Sequence, residues 1–344
     1  DFIQELHDAL INAQYGTIAT QIVDTGALTS LENSLATFNY STAMQNNNQA
    51  PAVPNSGIAM LNGQTLNTQG DQLINIGSIV GNGTIQTGGL QNIGTISLDG
   101  GTTQVSGEVS NFGQLTVSDG QATFDDVTNN GHVSVSGSTV SYLGTFMNNG
   151  AYSSDPSTNE FNNLQVGQGG YLTGSPDDLF SLSGSFDNQS TQNTLWNTML
   201  STLAFIGPGL HEFDLAGEDF GATLFGYQNN FAWGALDLSG LSGELVLGSG
   251  NPDFTDALYV DGILGADITN GVIANILGDG LNIYYLTEDP ANAYFDGQQY
   301  ALENGGYLIP VSSAAVPEPS SLALFLTGVI GILFLAGRGE PRRN

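Results

Sequence analysis

Apolar positions along the chain change their spacing several times. Over residues 2–38 they recur every three or four residues: Phe2, Ile3, Leu6, Leu10 and Ile11, then Leu28, Leu31, Leu35 and Phe38. That spacing predicts an amphipathic helical cap. Residues 41–57, with Asn46, Asn47, Asn48, Pro51 and Pro54, read as a polar linker that completes a first region, 1–57. From residue 58 the pattern becomes short alternation, as in Thr95-Ile96-Ser97-Leu98 and His132-Val133-Ser134-Val135-Ser136, which predicts strands. Residues 191–206 return to helical spacing (Leu195, Trp196, Met199, Leu200, Leu203) and end at Gly207-Pro208-Gly209, predicting an inserted helix. Alternation resumes over 207–312, for example Glu212-Phe213-Asp214-Leu215 and Glu244-Leu245-Val246-Leu247.

A repeat organises residues 58–190. Asn-x-Gly-x-apolar recurs at Asn75/Gly77, Asn92/Gly94, Asn111/Gly113, Asn129/Gly131 and Asn148/Gly150, with glycines 17, 19, 18 and 19 residues apart. Gly169 continues the series, which places Tyr171 in the position of Tyr152. Two residues before each Asn stands Leu73, Leu90, Val109, Val127 or Phe146. Eleven residues after each Gly stands Val105, Phe124, Tyr142, Phe161 or Phe180, the first of these following Gly94. A unit of about 18 residues is too short for a helix-pair repeat. It fits one coil of two or three short strands, stacked on its copies about 4.8 Å apart. The Asn column would then form an amide ladder, and Asn and Gly would supply the left-handed backbone of a coil corner. No clean six-residue subrepeat is present, which favours a parallel β-helix over a left-handed hexapeptide solenoid. Residues 207–312 read either as less regular coils or as a separate small β-domain.

Composition narrows the function. The chain has 344 residues, no Cys, 33 acids and 3 basic residues, for a formal net charge of -30. All three basic residues, Arg338, Arg342 and Arg343, lie near the C-terminus. Nucleic-acid binding needs cations against phosphates, and phosphate chemistry leans on Lys or Arg, so both classes are disfavoured. Without Cys there are no disulfides and no thiolate metal sites. The sequence opens at Asp1 rather than Met, as a mature form or a fragment would.

The last region, 313–344, holds the most specific signal. Val316, Pro317, Glu318 and Pro319 precede an uncharged run of 16 residues, 322–337, followed by Arg338, Arg342 and Arg343. As a helix this run is about 24 Å long, slightly short of a ~30 Å bilayer core. The basic flank would stay cytoplasmic, with the acidic bulk outside. This order of elements resembles the PEP-CTERM sorting signal of Gram-negative bacteria. The resemblance implies export, a transient inner-membrane anchor, processing by an exosortase-type enzyme, and a place at the cell surface or in an exopolysaccharide matrix. It implies nothing about the activity of the rest of the chain. The repeats over residues 70–188 resemble those of secreted adhesins of the filamentous haemagglutinin and autotransporter type, which implies a parallel β-helix.

Candidate chemistry is sparse. Asp125-Asp126 and Asp177-Asp178 are adjacent carboxylates, whereas glycoside hydrolysis needs two carboxylates about 5–10 Å apart across a sugar. They read as solvated turn acids. His7, His132 and His211 have no paired metal motif. Calcium is the more plausible ligand, since 31 acids precede residue 316 without a fixed cation, and hard cations prefer carboxylate oxygens. Asp253, Asp256 and Asp261 form one group close in sequence, and Glu212, Asp214, Glu218 and Asp219 another. Tyr284, Tyr285, Tyr294, Tyr300 and Tyr307 read as core or cross-strand aromatics before they read as sugar platforms. The expectation is an all-β parallel β-helix with a C-terminal sorting helix. Its expected role is structural or adhesive, with exopolysaccharide as partner and no catalysis. A carbohydrate-active enzyme and a self-assembling surface fibre are the alternatives.

Overall fold

The computed structural model describes residues 52–250 and 255–312. The expected N-terminal helical cap and the C-terminal sorting helix lie outside these residues. The described chain is a parallel β-solenoid. In its regular part each coil has three strands on three faces. The first-face strand ends in the repeat Asn: Ala52–Asn55, Gln72–Asn75, Gly89–Asn92, Val109–Asn111 and Val127–Asn129. Across the Asn-x-Gly corner follow the second-face strands, such as Thr95–Asp99, Gln114–Ser118 and His132–Ser136. The third face holds Thr102–Ser106 and Gln121–Phe124, and Thr139–Asn148 is long enough to run on into the first face.

Register is set by the alternation. Leu73 pairs with Leu90, Leu90 with Val109, Val109 with Val127, and Val127 with Phe146, so this column points inward in every coil. A shift of one residue would turn each of these side chains to solvent. The second column is equally regular from Val105 through Phe124 and Tyr142 to Phe161. Its rings stack, with centroids 5.6 Å apart for Phe124–Tyr142 and 5.0 Å for Tyr142–Phe161. Next in line, Phe161 pairs with Leu182, and Phe180 pairs with Asn159. The strand has slipped by two residues, one pleat period, so both Phe180 and Leu182 still face the core. Phe180 also still stacks on Phe161 at 6.4 Å.

Other expectations are corrected in detail. The solenoid begins at Ala52, inside the expected linker, because Ala52–Asn55 pairs in parallel with Gln72–Asn75. Pro54 is tolerated because this is the edge strand of the described residues, where a missing N–H costs little. Gly170, not Gly169, continues the glycine column: Tyr171 pairs with Ala151, and Leu172 takes the place of Tyr152. Residues 191–206 form no inserted helix. Thr198–Phe205 is a strand bonded on both sides, to Leu179–Leu182 and to Trp233–Asp237. Its inward residues Leu203 and Phe205 are fully buried, while Leu200 is exposed. Two parallel neighbours outweigh the helical spacing of the apolar residues.

Residues 207–312 continue the solenoid and form no separate domain. Leu210–Leu215 stacks on Phe186–Asn188, Glu244–Ser249 stacks on Leu210–Leu215, and Ala257–Leu264 stacks on Trp233–Asp237. One apolar core runs unbroken from Ala59 to Leu308. Strand pairings are parallel except at the C-terminal end. There Val272–Leu277 folds against Ile268–Thr269, and Tyr300–Glu303 against Tyr307–Val311. The later coils differ at one place above all. Where earlier coils turn in a short Asn-x-Gly corner, residues 189–197 and 216–232 make excursions before the second face resumes at Thr198 and Trp233, which pair with each other.

Candidate binding groove and sorting motif

The Asn column is a continuous buried ladder. Each side-chain amide donates to the amide oxygen one coil on: Asn55 to Asn75, Asn75 to Asn92 and Asn92 to Asn111 at 2.7 Å, then Asn111 to Asn129 and Asn129 to Asn148 at 2.8 Å. The second amide hydrogen goes to a second-face carbonyl of that same next coil, as from Asn92 to Gln114 O at 2.9 Å and from Asn111 to His132 O at 3.1 Å. The ladder ends at Asn148, because Val166 occupies the next register position. These amides are consumed by the fold and leave no group for a ligand.

The paired glycines have a different role from the one expected. Gly77, Gly94, Gly113, Gly131 and Gly150 do not have left-handed backbone. They are glycine because the corners pack backbone on backbone. A Cβ on Gly113 would overlap Gly94 O and lie 2.6 Å from Ile93 O, and the other four corners are equally closed by the preceding coil. Each carbonyl then accepts the first N–H of the next second-face strand, as Gly94 O does from Gln114 at 3.0 Å.

Three of the four paired carboxylates hold the fold. Asp125 accepts from Gly107 N at 3.0 Å and Asp126 from Thr145 N at 2.7 Å, each tying one coil corner to its neighbour. Asp178 is buried, not solvated. It accepts from Ser157 N at 2.7 Å, from Ser175 N at 2.5 Å and from the Ser154 hydroxyl. Asp177 is its exposed neighbour. His132 is half-buried on the second face, and His211 is buried with Nδ1 2.8 Å from Gly184 O. His7 and Asp253 lie outside the described residues. Among those described, no three His, Cys, Asp or Glu side chains converge to hold a metal. Asp219 shows why: its oxygens accept from Tyr284 OH and Gly221 N at 2.7 Å, and from Asn282 Nδ2 at 3.1 Å. Of the tyrosines, Tyr284 and Tyr285 are buried, and Tyr294 and Tyr307 are exposed.

Charge is not spread evenly in its effect. Burial, then the Asp289 carboxylate, pushes Asp261 up to about 6. Burial, then Asp187, Glu212 and Asp256, raises Asp214. Burial raises Tyr285 and Tyr294 to about 12. No Lys or Arg stands among the described residues to offset the acids.

The excursions carry a feature that the repeat does not foretell. Residues 189–197 and 216–232 come together around a groove of about 430 Å³ lined by Asn193, Phe220, Thr223, Phe225, Gln228 and Asn229. The larger excursion is held rigidly from below. Asn230 bonds both the N–H and the carbonyl of Glu218, at 2.8 and 2.9 Å. Tyr259 OH accepts from Phe220 N at 2.8 Å and donates to Gly221 O at 2.9 Å. Gly226 lies flat on the Tyr259 ring, where any Cβ would collide. Tyr259 in turn stacks on Tyr284 at 4.6 Å, in a small second core with Tyr227, Ala232, Ala257 and Val311. This scaffold leaves Phe225 73% and Phe220 43% exposed. In sequence, Phe220 and Phe225 look like further core positions. Their only signal is that alternation fails between Leu215 and Trp233.

Residues 315–343 match the PEP-CTERM protein-sorting motif. No curated protein and no solved structure matches the chain. The motif spans the Val316, Pro317, Glu318, Pro319, Arg338, Arg342 and Arg343 positions singled out from sequence. Among the described residues no helix is long and apolar enough to cross a membrane. Fold and tail together define an exported β-solenoid. More particularly, the motif implies processing by an exosortase as its substrate, with a C-terminal membrane anchor before processing.

Proposed function

We propose that the protein is a structural or adhesive component of the cell surface or extracellular matrix of a Gram-negative bacterium, associated with exopolysaccharide, and that it binds without cleaving. The observation that carries this reading is the sorting motif joined to a solenoid whose Asn ladder and buried Asp178 are spent on its own coils. Of the acids considered for hydrolysis, Asp125, Asp126 and Asp178 hold backbone N–H groups, which leaves Asp177 without a free carboxylate beside it to form a proton-transferring pair across a sugar. A rod of stacked coils offers long faces and a recessed groove, as a matrix protein requires. The experiment is co-sedimentation of the protein with isolated exopolysaccharide, with and without calcium. Saturable sedimentation is expected. Dependence on calcium would add acid-mediated bridging by bound cations. Sedimentation in neither condition would overturn the exopolysaccharide role.

A further inference from the structure

The groove between the two excursions has the chemistry of a sugar site, and we propose that it binds an uncharged polysaccharide chain through its hexose rings. This inference rests on the exopolysaccharide reading and names the ligand class and the residues. Two independent observations carry it. The first is rigidity without burial. The excursion is fixed by Asn230, Tyr259 and Asp219 through hydrogen bonds of 2.7–2.9 Å, yet the rings it presents, Phe220 and Phe225, stay in solvent. A packing loop would turn those rings inward, since exposing a large apolar side chain forgoes roughly 1.5–3 kcal/mol.

The second is the lining. Asn193, Gln228 and Asn229 are exposed, and among the described residues their side-chain amides make no hydrogen bond. Thr223 uses its hydroxyl hydrogen on Phe220 O at 3.1 Å and keeps lone pairs free. Amides supply both donors and acceptors, which suits vicinal hydroxyls. The flat C–H face of a pyranose suits an exposed phenyl ring. No lining residue is charged, and no Lys or Arg is present among the described residues to recruit an anion. Glu218 and Asp219 precede Phe220, so a uronic-acid chain would meet repulsion. A few convergent polar groups beside apolar walls is the usual make-up of a ligand site.

Affinity electrophoresis of the full chain tests this, through gels containing hydroxyethylcellulose, galactomannan, xyloglucan or, as the anionic comparison, alginate. We expect retardation by at least one neutral polymer and none by alginate. Phe225→Ala and Phe220→Ala should each weaken retardation about tenfold or more, the scale of one lost ring contact. Both side chains are exposed, so the variants should keep the wild-type melting temperature. Leu143→Ala, at an exposed apolar position in the regular coils, should change nothing. No retardation by any neutral polymer, or retardation indifferent to Phe220 and Phe225, would overturn the groove assignment. Co-sedimentation with whole exopolysaccharide separates the two failures. If it persists while the groove variants bind normally, only the groove is wrong. If it is absent, the broader reading falls too.

Discussion

The coils before residue 189 and those after it solve the same problem differently. In the first set the coils through Asn148 turn at Asn-x-Gly corners that touch their copies above and below, and the last corner, after Val166, stays short without the ladder Asn. In the second set the same corner opens into excursions, and the amide ladder is gone. The core continues through both without a break. Strand stacking therefore holds the rod together, and the ladder enforces regularity. A corner freed from the ladder can carry a loop of any shape.

The largest expected effect tests the closed corners. Gly113→Ala would drive a methyl into the backbone of the preceding coil, and neither chain can withdraw without breaking Gln114 N to Gly94 O. It should cost more than about 3 kcal/mol in urea unfolding or prevent folding. Gly207 lies past the ladder with open space around its Cβ and a φ of 92°, so Gly207→Ala should cost only about 1 kcal/mol of backbone strain. Equal costs at the two sites would erase the distinction between the regions.

Next comes the ladder itself. Asn111→Leu removes the donor to Asn129 and His132 O and the acceptor of Asn92, leaving buried polar groups unmet on both sides. A loss of about 2–4 kcal/mol should appear in chemical denaturation. A smaller effect is expected from Phe161→Leu, in the middle of the ring column. It removes stacking on Tyr142 and Phe180 but keeps most of the volume, and should lower stability by about 1–2 kcal/mol.

The smallest effect lies in the later coils and depends on pH. Asp261 titrates at about 6 in the fold, above its ordinary 3.8, so the folded state holds this proton more tightly than the unfolded chain. Its contribution is therefore most favourable below pH 4 and is lost as pH rises through 6. Asp261→Asn should stabilise the protein at pH 7 by about 1 kcal/mol, allowing for solvent screening of a half-exposed group, and flatten the stability profile between pH 4 and 6. Thermal melts at several pH values read both changes.

The contrast also explains what the sequence made legible. Leu73, Leu90, Val109, Val127 and Phe146 are visible because stacking demands the same residue class at the same phase. The Asn ladder is visible for the same reason. The glycine role is not, because a sequence cannot distinguish a residue chosen for positive φ from one chosen for close approach. The slip at Phe180 is hidden because a shift of two preserves the inward face. Residues 191–206 mislead because Trp196 belongs to an excursion and Leu203 to a strand, and their spacing mimics one helical stripe. Phe220 and Phe225 are invisible as a site because exposure is set by Tyr259 and Asn230 beneath them.

The central claim is that the regular coils are scaffold and that the opened corner is where ligand is held. Co-sedimentation with purified exopolysaccharide, comparing wild type, the double variant Phe220→Ala/Phe225→Ala, and the second-face variant Gln114→Ala/Thr116→Ala, tests it most directly. The account predicts that the groove variant loses binding while the face variant binds as wild type does. Binding that survives in the groove variant and fails in the face variant would contradict it.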